Sequence, residues 1–487
     1  MGVLSNLEPK NVFYFFEEIC KIPHGSGNVE QISDYLVEFA KQRNLYYEQD
    51  EVKNVIIIKE ATAGYEDQPP MILQGHMDMV AVKKPDCEID MKTEGLHLMI
   101  DGDKIYAEGT SLGGDDGIAV AYALALLDSD RIAHPRLEVV ITVDEEVGLN
   151  GARVIDLSRL TANRMLNLDS EEEGIFLTSC AGGARVDCVL PVQRVKMQGI
   201  AYKVSVEGLL GGHSGAEIHK ERGNSNCLMG RLLYRLTEQL SVGICELEGG
   251  LADNAIPRQT TAVLVVEEKD RAAFLQIIDV ESAGMAGELA SKDPGCKVLV
   301  SEVCQDEAEG ALRCAAGKEA AKCAALLVAL PNGVQAMSAD MPGLVETSLN
   351  LGILSLKEDG LHAGFSVRSS VESAKYALIG KLQAVTALAG GSNTVSGDYP
   401  GWQYRVDSPL RDKMVKLYRE MYGEEPKVEA IHAGLECGLL GSKIPNLDCV
   451  SLGPDMKDIH TTEETLSISS TARVWEYLVR LLGEKDV

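Results

Sequence analysis

The chain reads as an α/β protein, with a discontinuous domain on a mixed, largely parallel sheet flanked by helices and a second domain of α+β character inserted into it. Two observations predict this. Short, uniformly apolar runs alternate with helical patterns before residue 186 and the same style returns after residue 394, and runs apolar on both faces suit strands buried on both sides. Between those limits strands of alternating polarity take over. A length of 487 residues gives about three domains by the usual prior, and one domain interrupted by another fits equally well.

In order, residues 11–41 read as two amphipathic helices around the His24-Gly25-Ser26-Gly27 loop, followed by apolar strands at 55–58, 71–73, 137–143 and 165–168. Residues 117–127 (GIAVAYALALL) have the Ala and Leu content of a buried helix. In the middle region, strands are expected at 202–206 and 261–267, helices at 224–240 and 318–330, and an extended segment at 344–353. A Gly/Ser/Asn stretch at 390–397 closes it. The expected divisions are therefore 1–185, 186–394 and 395–487.

Composition excludes several classes. With 45% hydrophobic and 25% charged residues, disordered, collagenous and membrane-spanning chains drop out. A net charge of -28 repels a phosphate backbone or an anionic lipid surface, so no nucleic acid and no membrane partner are expected. The N-terminal MGVLSNLEPKNVFYFFEE lacks the basic start and apolar core of a secretory signal, and Asn6 breaks the myristoylation pattern after Gly2. A cytoplasmic location follows. The 12 cysteines are irregularly spaced without CxxC pairs, which predicts mostly reduced, buried thiols.

The chemistry sits where strands end. Met71-Ile-Leu runs into Gln74-Gly75-His76-Met77-Asp78, Val139–Val143 into Asp144-Glu145-Glu146, and Leu166–Leu168 into Asp169. In open α/β sheets ligands bind beyond the carboxyl ends of strands, so these groups are expected to converge. His76 and Asp78 share a side if extended geometry persists, so one can ligate while the other orients it. Glu145 and Glu146 diverge, which suits one metal ligand and one general base. Asp115 lies in a glycine-rich loop at a helix start, where a carboxylate can bridge two cations, and His460 offers a second imidazole near the C-terminus. Each piece has a bland reading: HxD as structure, Asp115 as a helix cap, Glu145 and Glu146 as a solvated turn, Glu171–Glu173 as a surface run. Together they favour an open hydrolytic centre of nitrogen and oxygen ligands over thiolate-rich structural zinc.

The motifs GHMDMV (75–80), GTSLGGDDGIAVAYALALL (109–127), TVDEEVGLNGA (142–152), NLDSEEEG (167–174), GGHSG (211–215), NAIPR (254–258), HAGLECG (432–438) and DIHTTEE (458–464) span nearly the whole chain. In combination they resemble the co-catalytic zinc aminoacylase and carboxypeptidase superfamily, and within it the bacterial aminoacyl-histidine dipeptidases. The resemblance implies two divalent metal ions, zinc first, with manganese or cobalt as alternatives. One would be held by His76 and Asp169 and the other by Glu146 and His460, with Asp115 bridging; an aspartate at 116, where asparagine is frequent, leaves the bridging role open between the two. It further implies that Asp78 orients His76 and that Glu145 is the general base for attack by a metal-activated water on a dipeptide substrate. The inserted segment would be a lid and dimerisation domain of a homodimer. From it, His213 would stabilise the oxyanion, and Asn254 and Arg368 would hold the substrate's C-terminal carboxylate. An N-acyl amino acid amidohydrolase or an aminopeptidase on the same fold, and a metal-binding protein without turnover, are the competing expectations. His24, His97, His134, His219, His362 and His432 receive no role, nor does Glu436.

Overall fold

The computed structural model describes residues 2–303 and 312–486. Contacts divide the chain into two compact units, one of Met1–Ser179, Tyr404–Ala430 and Leu435–Val487, the other of Cys180–Gln403 and Ile431–Gly434.

The first unit is built on an eight-stranded mixed sheet. Its order is Tyr46–Gln49, Val55–Lys59, Leu137–Thr142, Met71–His76, Arg164–Asn167, Asp448–Ser451, Ile175–Cys180, Lys427–Ile431. Parallel pairing joins Leu137–Thr142 to Met71–His76, Met71–His76 to Arg164–Asn167, and Arg164–Asn167 to Asp448–Ser451. These central strands are buried on both faces, as the all-buried patterns over Leu137–Thr142 and Met71–His76 show. Outside them the pairing turns antiparallel.

The helix Gly114–Asp128 is buried from Gly114 to Leu127, which is why its Ala- and Leu-rich sequence carries no polar face. It packs against the Lys10–Cys20 helix, where a Cβ on Gly117 would lie 3.3 Å from the Phe16 ring, and Tyr122 stacks on Trp475 with centroids 6.1 Å apart. Against the sheet the approach is closer still. A Cβ on Gly75 would stand 2.5 Å from Asp116 Oδ2 and 2.6 Å from the Ala119 methyl. Glycine at 75 lets helix and central strand meet, and so sets the aspartate pair at the helix start beside the strand that ends in His76.

The second unit has its own core, drawing Leu233, Phe274, Leu327 and Leu382 from four helices onto one sheet. That sheet has eleven strands among the described residues, and its order along the main path is Lys297–Glu302, Ile200–Glu207, Thr260–Val266, Val242–Gly249, Val345–Leu356, Gly360–Ser369, Gly182–Pro191, Ser392–Tyr399. The helix Ser225–Gln239 starts where the Asn224 side chain accepts the Asn226 and Cys227 amides. Two features differ from the sequence reading. The Gly/Ser/Asn stretch at 390–397 is mostly strand, because Ser392–Tyr399 pairs with Gly182–Pro191 at the end of the path, and an edge strand accepts polar residues. Cys245 and Cys314 form a disulfide between neighbouring strands. Nine other described cysteines carry reduced thiols, and Cys304 lies outside the described residues.

Among the described residues no helix is long and apolar enough to cross a membrane. Gly75→Ala is expected to lower stability by about 1–3 kcal/mol through overpacking, read as a lower denaturant midpoint; an unchanged midpoint would show that helix and strand separate freely.

Candidate metal centre and substrate subsite

In the first unit the chain turns sharply at each strand end and delivers a ligand-bearing side chain. His76 closes its strand and pairs laterally with Thr142. Asp144 takes a left-handed φ of 53° immediately before Glu145, and its carboxylate accepts the Gly27 amide at 2.6 Å. His460 sits between the short strands Met456–Lys457 and Thr465–Ser467, which pair with each other, and Thr465–Ser467 pairs in turn with Lys104–Ala107, the strand that feeds the glycine-rich loop. Its φ of 63° is left-handed, a conformation that costs a non-glycine residue about 1–3 kcal/mol and collects at functional sites.

The result is convergence on one carboxylate. Asp115 Oδ1 lies 3.1 Å from His76 Nε2 and Asp115 Oδ2 lies 3.1 Å from His460 Nε2. Asp169 Oδ1 is 3.6 Å from His76 Nε2, and Glu146 Oε1 is 2.8 Å from His460 Nε2. Possible ligand atoms of Asp115, Glu146 and His460 all fall within 4.8 Å of one another, as do those of His76, Asp116 and Asp169, and those of His76, Glu145 and Glu146. Asp116 differs from Asp115 in facing the sheet, where its Oδ2 accepts the His76 backbone amide at 3.1 Å.

These residues fit a pair of divalent cations. The Nδ1–H of His76 donates to the Asp78 carbonyl at 2.9 Å, so the neutral ring turns its Nε2 lone pair toward carboxylate oxygens. Glu146 Oε1 is buried and accepts no hydrogen bond, although His460 Nε2 is close by. Lone pairs so opposed need positive charge between them. Without a cation, protons take that place: Asp115 and Glu146 raise the His460 pKa to about 10. Burial works against charging His76, yet Asp115 and Asp169 hold its pKa well above the ordinary value. Burial raises Asp169 to about 6 and pushes Asp116 and Glu145 up as well. Nitrogen and oxygen donors without thiolate suit zinc, manganese or cobalt.

Two supports hold the arrangement. Glu464, four residues beyond His460, places its carboxylate in a nest of backbone amides, accepting from Leu112 (2.7 Å), Gly113 (3.0 Å), Gly114 (2.8 Å) and Asp115 (3.4 Å). The glycine-rich loop thus cradles a carboxylate of the same chain as such loops cradle phosphate, and it ties the Asp115 segment to the His460 segment. Asp78 accepts the Ser26 hydroxyl at 2.8 Å and the Glu145 amide at 3.1 Å, with Oδ1 3.5 Å from His76 Nδ1. One buried carboxylate therefore braces both the imidazole and the Glu145 backbone.

A second cluster forms within the other unit. Gly212–His213 pairs with Ala255–Ile256, next to Asn254. His213 Nδ1 accepts the amides of Gly215 (3.2 Å) and Ala216 (3.0 Å), so the proton of the neutral ring sits on Nε2. Burial and Arg368 lower its pKa. Arg368 is only 8% exposed, its Nε has no hydrogen-bond partner, and its Nη1 reaches the Tyr399 hydroxyl at 3.4 Å. His432 is equally buried, with Nε2 2.8 Å from Ser348 Oγ; burial, Arg368 and His213 bring its pKa down to about 3. Gly215 stands among all three, since a Cβ there would lie 2.5 Å from the His432 carbonyl, 3.1 Å from His213 Cε1 and 3.3 Å from Arg368 Cζ. A buried guanidinium with an unsatisfied donor, beside imidazoles that stay neutral, is a site for an anion.

His432, Glu464 and Glu436 are the residues the sequence reading left without a role or did not single out. Glu171 and Glu172, read as part of a surface run, are exposed, although partial desolvation of the Glu171 carboxyl together with Asp115 and Asp169 raises its pKa to about 7. Its neighbour Glu173 is paired with Arg473 at 2.5 Å.

The profile of Peptidase family M20/M25/M40 matches residues 72–484. The cytosol non-specific dipeptidase of Escherichia coli (strain K12) is 36% identical over 486 residues, 99% of each chain. Among solved structures, aminoacylhistidine dipeptidase from Vibrio alginolyticus superposes with a TM-score of 0.94 at 35% identity, covering 99% of both chains. Aminopeptidase PepT from Bacillus cereus shares the fold with a TM-score of 0.55 at 15% identity over 98% of both chains.

The His432 environment has a thermodynamic signature. Its imidazole takes a proton near pH 6.5 when unfolded but only near 3 when folded, so the unfolded chain binds more protons between those limits and stability falls as pH drops from 6.5 toward 3. In His432→Gln that contribution is absent. Its stability relative to wild type is expected to rise between pH 7 and pH 4 in urea titrations, whatever the offset at pH 7; a constant difference would contradict a neutral buried imidazole.

Proposed function

The chain belongs to Peptidase family M20/M25/M40, and on that premise we propose that it is a metallodipeptidase hydrolysing a broad range of Xaa-Xaa substrates, including Xaa-His such as beta-alanyl-histidine. The observation that carries this reading is Asp115, whose oxygens each lie 3.1 Å from a different imidazole. In the proposal His76 and Asp169 would hold one divalent cation and Glu146 and His460 the other, with Asp115 available to both, zinc being the first choice. Bound there, such cations supply Lewis-acid polarisation of a carbonyl and lower the pKa of water.

The chain's own groups divide the remaining work. Glu145, braced through its amide by Asp78, accepts the proton of the attacking water and passes it to the nitrogen of the leaving amine. Asp78 holds the His76 ring so that Nε2, not Nδ1, is the ligating atom. His213, from this chain or from a second copy, donates Nε2–H to the oxygen that becomes negative as the carbonyl turns tetrahedral; the amides on its Nδ1 support that tautomer. Arg368, with Asn254, receives the C-terminal carboxylate. The unsatisfied Arg368 Nε supports this, because a carboxylate supplies the partner it lacks. The proposal includes a homodimer joined through the middle unit, for which sedimentation at micromolar concentration is the direct check.

Two outcomes test the reading. Wild type is expected to cleave beta-alanyl-histidine and α-dipeptides but not N-acetyl amino acids, and Glu145→Ala to retain its cations while losing on the order of 10²–10⁴-fold in kcat. Cleavage of the N-acetyl compounds alone would indicate an acylase, and full turnover by the variant would remove Glu145 from the mechanism. His213→Ala is expected to lose about 10²–10³-fold in kcat with its metal content intact, and an unchanged kcat would end its assignment.

A further inference from the structure

Beneath the candidate metal centre lies a polar network with no place in the mechanism above. Gln74 is two residues before His76, and Asn167 two before Asp169. Gln74 pairs laterally with Asn167, and His76 with Thr142, so the alternation of strand side chains puts Gln74, Thr142 and Asn167 on the sheet face that carries His76. On that face stands Glu436, the first residue of the helix Glu436–Lys443. Its Oε2 accepts two hydrogen bonds, from Gln74 Nε2 at 2.5 Å and from Thr142 Oγ1 at 2.6 Å. Gln74 Oε1 in turn accepts Asn167 Nδ2 at 2.6 Å. All four residues are at most 1% exposed.

Burying this much polarity is costly compared with an apolar core of the same volume. The network therefore needs a reason beyond stability, and its placement supplies one. Thr142, Gln74 and Asn167 lie on three adjacent strands, Gln74 and Asn167 two residues before His76 and Asp169, and Thr142 three before Glu145. A single acceptor atom gathers the first two strands directly and the third through Gln74.

We propose that Glu436 is a positioning residue whose Oε2 fixes the relative heights of the three strand ends, so that His76 and Asp169 meet one cation while Glu145 stays over it. Burial raises the Glu436 pKa to about 7, and its Oε1 has no hydrogen-bond partner, so a glutamine can replace it with the amide oxygen at Oε2 and both hydrogen bonds kept. Groups that orient metal ligands typically change affinity or activity 10- to 100-fold when removed.

The inference rests on the two-cation reading, which wild type tests by itself: apo protein titrated with zinc ion against a chromophoric chelator should bind two ions per chain, and failure there sinks that reading irrespective of Glu436. With wild type binding two, Glu436→Gln is expected to keep both dissociation constants and kcat within about threefold. Glu436→Leu should weaken one of the two sites about 10- to 100-fold and lower kcat with little change in KM, since Glu436 touches no substrate. Thr142→Val and Gln74→Met, each removing one of the two hydrogen bonds to Glu436 Oε2, the latter also the one from Asn167, should weaken the same site and carry the test if the leucine variant does not fold. Wild-type zinc affinity in Glu436→Leu, or in both of those variants, would overturn the inference. So would a glutamine variant as impaired as the leucine one, because the acceptor oxygen would then not be what matters.

Discussion

Everything at the candidate centre depends on one electrostatic constraint: two imidazole nitrogens, one on the buried His76 and one on the partly exposed His460, are aimed at the two oxygens of Asp115. Left to themselves the lone pairs repel, and the carboxylates of Asp169 and Glu146 close by add negative charge rather than relieve it. The chain answers by charging its histidines, which is why His460 is driven to about 10, far above the ordinary imidazole value. A folded protein that concentrates acid and imidazole in this way is arranged for cations, and the rest of the first unit serves that arrangement. The amide nest around Glu464, the close packing at Gly75 and the brace supplied by Asp78 each remove freedom from one side chain of the set.

The second unit follows a different physical rule. Its cluster has one buried cation, Arg368, surrounded by imidazoles that the same burial keeps neutral, so the local field is positive and the donors stay fixed. The chain carries a net charge of -28, and a small anionic group finds few welcoming places on it. The two units thus present opposite chemistries, one awaiting positive charge and the other awaiting negative charge.

Much of this was legible in the sequence because strand ends are local features. His76, Glu145, Glu146 and Asp169 each follow an apolar run within a few residues, and Asp115 opens an apolar helix, so their joint placement marked them as candidates, and the motif resemblance implied which of them are ligands and which the base. Of the supports, Asp78 was legible two residues from His76, but Glu436 and Glu464 were not, because their partners are remote: Glu436 reaches Gln74 across 362 residues, and Glu464 reaches Leu112 across 352. In a chain with 74 acidic residues, a single glutamate carries no signal until its acceptor geometry is known. His432 was silent for the same reason, its Ser348 partner lying 84 residues away. The stretch at 390–397 misled because glycine, serine and asparagine mark a loop and an exposed edge strand alike, and the Cys245–Cys314 separation of 69 residues suggests no pairing by itself.

The most direct measurement is an anomalous difference map at the zinc absorption edge, from crystals of the protein grown with zinc. Two peaks of comparable height, one on each side of the Asp115 carboxylate and in contact with His76 and His460 respectively, are the predicted result. A single peak, or density that leaves Asp115 bare, would contradict the account at its root.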